Sequence, residues 1–223
     1  MEGKGFERES SLERKRYINE AYMDETQLLT YANQLQLVFK TISKYNNDDF
    51  SNLNILEIGV GNGYVANALK TYDFKVSTFD INENLNPDYV GNVIELSKYI
   101  DEKKFQLTLC CEVLEHMEFD NFEKTLVELK KVSETSILTL PSFKRHYGFY
   151  GLFKLPRKVL HVNFGIEVGF KKLPEEHFWE IGSDKQSSRK NIEQIIKKHF
   201  LILEKGKFNL NNYHNYYILK RKM

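Results

Sequence analysis

Asn54-Ile55-Leu56-Glu57-Ile58-Gly59-Val60-Gly61-Asn62-Gly63 decides how the rest of the chain is read. A short apolar run bounded at once by glycines predicts a buried strand, and the residues after it predict a helix over about 64–71. Strand, glycine turn and helix in that order make a nucleotide-type crevice, because glycines permit a sharp turn and let a ligand approach the backbone. The dinucleotide fingerprint G-x-G-x-x-G fails here, since Tyr64 stands at the last glycine. Glu57, two residues before the first glycine, places a carboxylate at the strand end facing the crevice, where it can hold an ammonium group. The next predicted strand, Lys75 to Phe79, ends at Asp80, where an acid can accept both hydroxyls of a ribose.

Outward from this centre, strands alternate with helices. A helix is predicted over 24–45, with Leu28, Ala32, Leu35, Phe39 and Ile42 on one apolar face. Further strands are predicted around 89–94, at Phe105–Cys111 and at Ser136–Leu140, with Pro141 as a stop, and a helix over 119–132. Residues 142–180 read as a long irregular insertion. A last helix over 186–198 leads into Phe200–Leu203 and Tyr213–Leu219, a terminal antiparallel pair. The alternation predicts an α/β sheet covered by helices on both faces. Residues 1–23, with five acidic and five basic residues, read as a mobile or loosely docked arm. Two segments result: an arm and helix over 1–45, and one domain over 46–223 that carries the 142–180 insertion.

Leu56-Glu57-Ile58-Gly59-Val60-Gly61-Asn62-Gly63, followed by Asp80, resembles the S-adenosylmethionine site of class I methyltransferases. Cys111-Glu112-Val113-Leu114-Glu115-His116 resembles their fourth-strand motif. The resemblance covers about 50–140 and implies a Rossmann-like, doubly wound, mostly parallel seven-stranded sheet with the terminal antiparallel pair. It also implies S-adenosyl-L-methionine as cofactor. Glu57, with the turn residues Gly59, Gly61, Asn62 and Gly63, would serve the methionine end. Asp80 would bind the ribose, Asn92, Val93 and Ile94 would border the adenine, and Ile81 and Cys111 complete the cofactor-binding set. The resemblance also places the 142–180 insertion over the acceptor site. Asn92 stands where many relatives carry Asp.

Glu112-x-x-Glu115-His116 crowds two carboxylates and an imidazole at the mouth of that crevice. Such groups are costly there unless protonated, paired or bound to a metal. A packing and helix-start role explains Glu115-His116 equally well. The segment also resembles the metal motif of small-RNA 2′-O-methyltransferases and ubiquinone-pathway O-methyltransferases. That likeness implies a second histidine from beyond the fifth strand, for which His177 is the candidate, and magnesium or manganese as the metal. Glu112, Glu115, His116 and His177 are therefore the expected catalytic and metal-binding set. The metal would bind the acceptor hydroxyl and lower its pKa.

Residues 142–172 hold seven Lys or Arg against one acid, Glu167, with seven aromatics interleaved. Lys144, Arg145, Arg157 and Lys158 suit an anionic acceptor. A lid with solvated lysines is the commoner result of such a pattern.

The 223 residues suit one domain. Hydrophobic residues at 41% and charged residues at 28% exclude a disordered chain. Net charge +1 argues against a globally basic nucleic-acid binder. No apolar run reaches the ~20 residues of a membrane span. The adjacent Cys110 and Cys111 predict buried free thiols. The charged first residues carry no apolar signal core, so a cytoplasmic location is expected. The expected activity is O-methylation of a hydroxylated small-molecule or sugar-type acceptor, with or without phosphate. RNA ribose 2′-O-methylation and a non-catalytic cofactor-binding regulatory subunit are the alternatives, and the oligomeric state is left open.

Overall fold

A computed structural model describes residues 8–18, 24–45, 53–209 and 211–222. β1 (Asn54–Ile58), β2 (Lys75–Asp80), β3 (Tyr89–Val90), β4 (Phe105–Cys111), β5 (Ser133–Pro141), β8 (Phe200–Lys207) and β9 (His214–Arg221) form one sheet in the order β3-β2-β1-β4-β5-β9-β8. β1 to β5 run parallel, and β9 pairs antiparallel with both β5 and β8. This is the expected seven-stranded, doubly wound sheet with its terminal antiparallel pair. The central strands read as near-continuous apolar runs because both of their faces are buried. On one face, Leu56, Ile58 and Leu138 pack under α3 (Asn121–Val132) and α4 (Arg189–His199). On the other, Ile55, Leu107 and Ile137 pack under α1 (Glu25–Tyr45) and α2 (Tyr64–Lys70). After β3 the chain returns to the far side of β1, so a crevice opens beyond the ends of β1 and β4.

Two expectations are corrected. The helix α1 is present, but its buried stripe is rotated. Thr30, Tyr31, Asn33, Gln34, Leu37, Val38, Thr41 and Ile42 are buried, while Leu28 and Ala32 are exposed. Polar members of that stripe find partners across the fold: the Asn33 amide donates to the Asn209 carbonyl at 2.9 Å. The predicted irregular insertion is largely a hairpin. β6 (Lys144–Leu155) and β7 (Lys158–Phe170) pair antiparallel in a separate two-stranded sheet, and only 171–181 return to the crevice as loop. Its period-two alternation was obscured by four glycines. The described part of the arm takes the docked of its two expected forms. A helical turn over 8–11 and a 3-10 turn (Arg14–Ile18) lie against the crevice, tied there by the Asn82 amide donating to the Leu12 carbonyl at 2.8 Å. Among the described residues no helix is long and apolar enough to cross a membrane.

Candidate active site

One cavity of about 990 Å³ occupies the crevice. Its cradle is the turn after β1. Gly59, Gly61 and Gly63 all have φ between +54° and +82°, a region that costs other residues energy. At Gly59 a Cβ would also lie 2.5 Å from Cγ2 of Val113. Gly59, Gly61 and Asn62 line the cavity, as do Ile81, Val93 and Cys111. Gly63 does not; it caps α2 in the left-handed conformation. Asn62 is fixed by donating to the Tyr31 hydroxyl at 2.9 Å.

Glu57 is buried, and its Oε2 has no hydrogen-bond partner. Burial pushes its carboxyl up to about 8, against the backbone N–H of Ala66. An orphaned acid on a cavity wall suits a ligand ammonium, which would supply the missing partner. Asp80 accepts from the Val60 N–H at 2.7 Å and the Asn82 N–H at 2.9 Å. Burial still holds its carboxyl above the ordinary range. The Ile81 N–H also donates to it, and since a carboxylate has about four lone-pair sites, capacity remains for a ribose hydroxyl.

Glu115, His116 and His177 each offer a ligand atom, all within 4.8 Å of one another. The turn Leu114–His116 follows β4, while His177 arrives on the loop that returns from the hairpin. The two imidazoles meet edge to face, with centroids 5.0 Å apart. Glu115 is buried with Oε2 unpartnered, and burial raises its carboxyl well above the usual range. Burial lowers His116 to about 4, helped by His177, so it is neutral at neutral pH. The approach of Glu9 to its Nδ1 at 3.7 Å is therefore no ion pair. Unpartnered buried oxygen and nitrogen atoms of this kind fit a divalent cation. Glu112 stands outside this trio. It accepts from the Gln34 amide at 3.1 Å and lies 3.4 Å from Nδ1 of His214. Its φ of +58° is unusual for a non-glycine residue and points its side chain into the same cavity.

Several residues here were not anticipated. Glu180, fully buried, accepts from Nδ1 of His177 at 2.8 Å, Nζ of Lys171 at 2.9 Å and the Tyr213 hydroxyl at 2.6 Å. Burial alone would raise its carboxyl, but these bonds from His177, Lys171 and Tyr213 prevail and lower it. Tyr213, predicted from sequence as the start of the last strand, lines the cavity, as do His214, Glu9, Arg16 and Tyr17. Arg16 is the one Lys or Arg lining it among the described residues, so the hairpin cations lie outside.

No family model matches the chain. Ubiquinone biosynthesis O-methyltransferase of Rickettsia bellii is 27% identical over 123 residues, 49% of this chain and 49% of that protein. The chain thus spans about half the length of the curated relatives it matches. Magnesium protoporphyrin IX methyltransferase of Synechocystis PCC 6803, solved with bound SAM, aligns with TM-score 0.57 and 14% identity over 99% of this chain and 93% of that one. An S-adenosylmethionine-dependent methyltransferase of Clostridium acetobutylicum aligns with TM-score 0.56 and 12% identity over 86% of this chain and 92% of that one. The chain therefore has the fold of S-adenosylmethionine-dependent methyltransferases.

Proposed function

We propose that the chain is an S-adenosylmethionine-dependent O-methyltransferase acting on a hydroxylated small-molecule or sugar-type acceptor. One observation carries the reading: a single cavity joins the Glu57–glycine cradle to the Glu115–His116–His177 trio. When bound, the cofactor supplies a sulfonium-activated methyl group, and a magnesium or manganese ion would lower the pKa of the acceptor hydroxyl. Glu57 would hold the ammonium end and Asp80 the ribose, which fixes where the methyl group points. Glu115, His116 and His177 would hold the metal, with Glu112 as the fourth candidate from the same wall. His116 is neutral and needs no deprotonation to coordinate. A phosphate on the acceptor would have to meet Arg16.

Incubation with methyl-labelled cofactor and fractionated cell extract tests this reading. Label in a small-molecule fraction, lost on adding a chelator, supports it. Label in RNA would favour the ribose alternative. Cofactor binding without transfer to any fraction would favour a regulatory subunit.

A further inference from the structure

The register of the hairpin sorts its residues onto two unlike faces. Tyr147, Phe149 and Phe153 pair across the strands with Ile166, Phe164 and Leu160 and share one face. Phe149 is 63% and Phe164 64% exposed. The other face is mixed, with His146, Gly148, Tyr150 and Lys154 in β6, and Gly165 and Glu167 in β7. That second face is the one tied to the body. Glu167 accepts from Nζ of Lys207, and the Asn212 side chain fills the space over Gly148 and Gly165. The apolar face is turned away from the domain, and a two-stranded hairpin without cover is marginal in water.

We propose that this face is a dimer contact: the hairpin of one copy packs its apolar face onto that of a second copy about a two-fold axis. From Tyr147 to Leu155 and from Leu160 to Ile166 every position on that face is apolar or glycine, which is the pattern of a sheet that faces another sheet. Twelve residues span roughly 40 Å. Covering half-exposed side chains along that length removes on the order of 600–900 Å² per copy, which reaches the size of a stable interface. The charges do not oppose it. Lys154 lies on the opposite face, Arg157 stands in the turn, and the cations that share the apolar face by register, Lys158 and Arg145, sit at the tip and the base, so they stay at the rim. An isologous contact also needs one patch that complements itself, which the apolar face of a single ribbon can supply when it meets its own copy.

Sedimentation equilibrium of the full chain should give the mass of two chains. Phe149→Ser with Phe164→Ser should give one, while the cofactor-induced rise in melting temperature is kept. Val162→Cys, opposite Gly151 at the ribbon centre, should form a disulfide between copies on oxidation. A monomeric wild type overturns the proposal, and so does a dimer that survives the double substitution. A monomer that pellets with phosphatidylglycerol vesicles but not with phosphatidylcholine vesicles overturns it in favour of a lipid surface. Since none of these readouts needs methyl transfer, failure here and failure of the proposed activity are distinguishable.

Discussion

His177 meets His116 edge to face at 5.0 Å although one rides the return loop of a hairpin and the other closes β4. The contact puts a distant nitrogen beside Glu115 and makes a ligand-type trio out of the adjacent pair Glu115-His116 and one remote histidine. His177→Ala should therefore abolish binding of manganese, followed by electron paramagnetic resonance of the free ion, and leave cofactor binding unchanged. Glu112, held by Gln34 and outside the trio, separates two arrangements. A loss as complete in Glu112→Ala as in His177→Ala means four protein ligands. A weakening of about tenfold or less means three. Retention of manganese by His177→Ala would remove the metal from the reading.

Glu180 is the buried anion behind this arrangement. It occupies Nδ1 of His177, which leaves Nε2 as the nitrogen free to coordinate. Glu180→Ala strands Lys171 and Tyr213 as well, and should cost about 3–5 kcal/mol. Glu180→Gln keeps the shape and should cost less, while manganese affinity still falls about 10–100-fold. The pH dependence has a definite sign. The folded carboxyl lies below its ordinary 4.5, so its contribution is present above that pH and is lost as pH falls through the lower folded value. Urea denaturation between pH 7 and pH 3 checks this: the wild type should lose more stability over that window than Glu180→Gln. Equal slopes would show that Glu180 is not held as an anion.

Much of this was legible in the chain, and the reasons are local. Gly59, Gly61 and Gly63 follow an apolar strand directly, and each occupies positive φ. Asp80 ends the next strand as its position implies. The hairpin was not legible as such. Gly148, Gly151, Gly165 and Gly169 read as loop residues, although Tyr147, Phe149, Phe153 and Leu155 alternate with period two. The buried face of α1 was misplaced because Asn33 and Gln34 look solvent-directed until Asn209 and Glu112 arrive from elsewhere. Glu9, Tyr213 and His214 come from the two ends of the described chain. Only the sheet order, with β9 inserted beside β5, brings the last two to the cavity.

Glu57 should make the ligand-free protein more stable in mild acid than in base. Its folded carboxyl is raised to about 8, so its contribution is fully present below about pH 4.5 and lost as pH rises through 8. Glu57→Gln removes the cost of ionising a buried group, and should stabilise the ligand-free chain by a few kcal/mol near pH 8. The same change should abolish the rise in melting temperature that S-adenosylhomocysteine gives the wild type. That rise is about 2.7 kcal/mol at one hundred times Kd, or roughly 5–10 °C for a chain of this size. A Gln variant that is destabilised near pH 8 and still binds would show that Glu57 is a structural carboxylate.

The first described residues should govern how long the cofactor stays. Glu9, Leu12, Arg16 and Tyr17 line the cavity from outside the sheet, and Asn82, two residues beyond Asp80, holds the Leu12 carbonyl. Removing a cover leaves the cradle intact, so the association rate should change little and the dissociation rate should rise, about tenfold or more. Deletion of residues 1–18, measured by stopped-flow fluorescence of cofactor release, tests this. Tyr17→Ala in the full chain tests it with a smaller change. Its hydroxyl reaches Glu9 at 3.4 Å, and its ring lies 3.9 Å from where a Gly61 Cβ would stand. An unchanged dissociation rate in both variants would mean that the segment only rests on the cavity. A slower association rate with unchanged dissociation would mean that it guides the ligand in rather than holding it there.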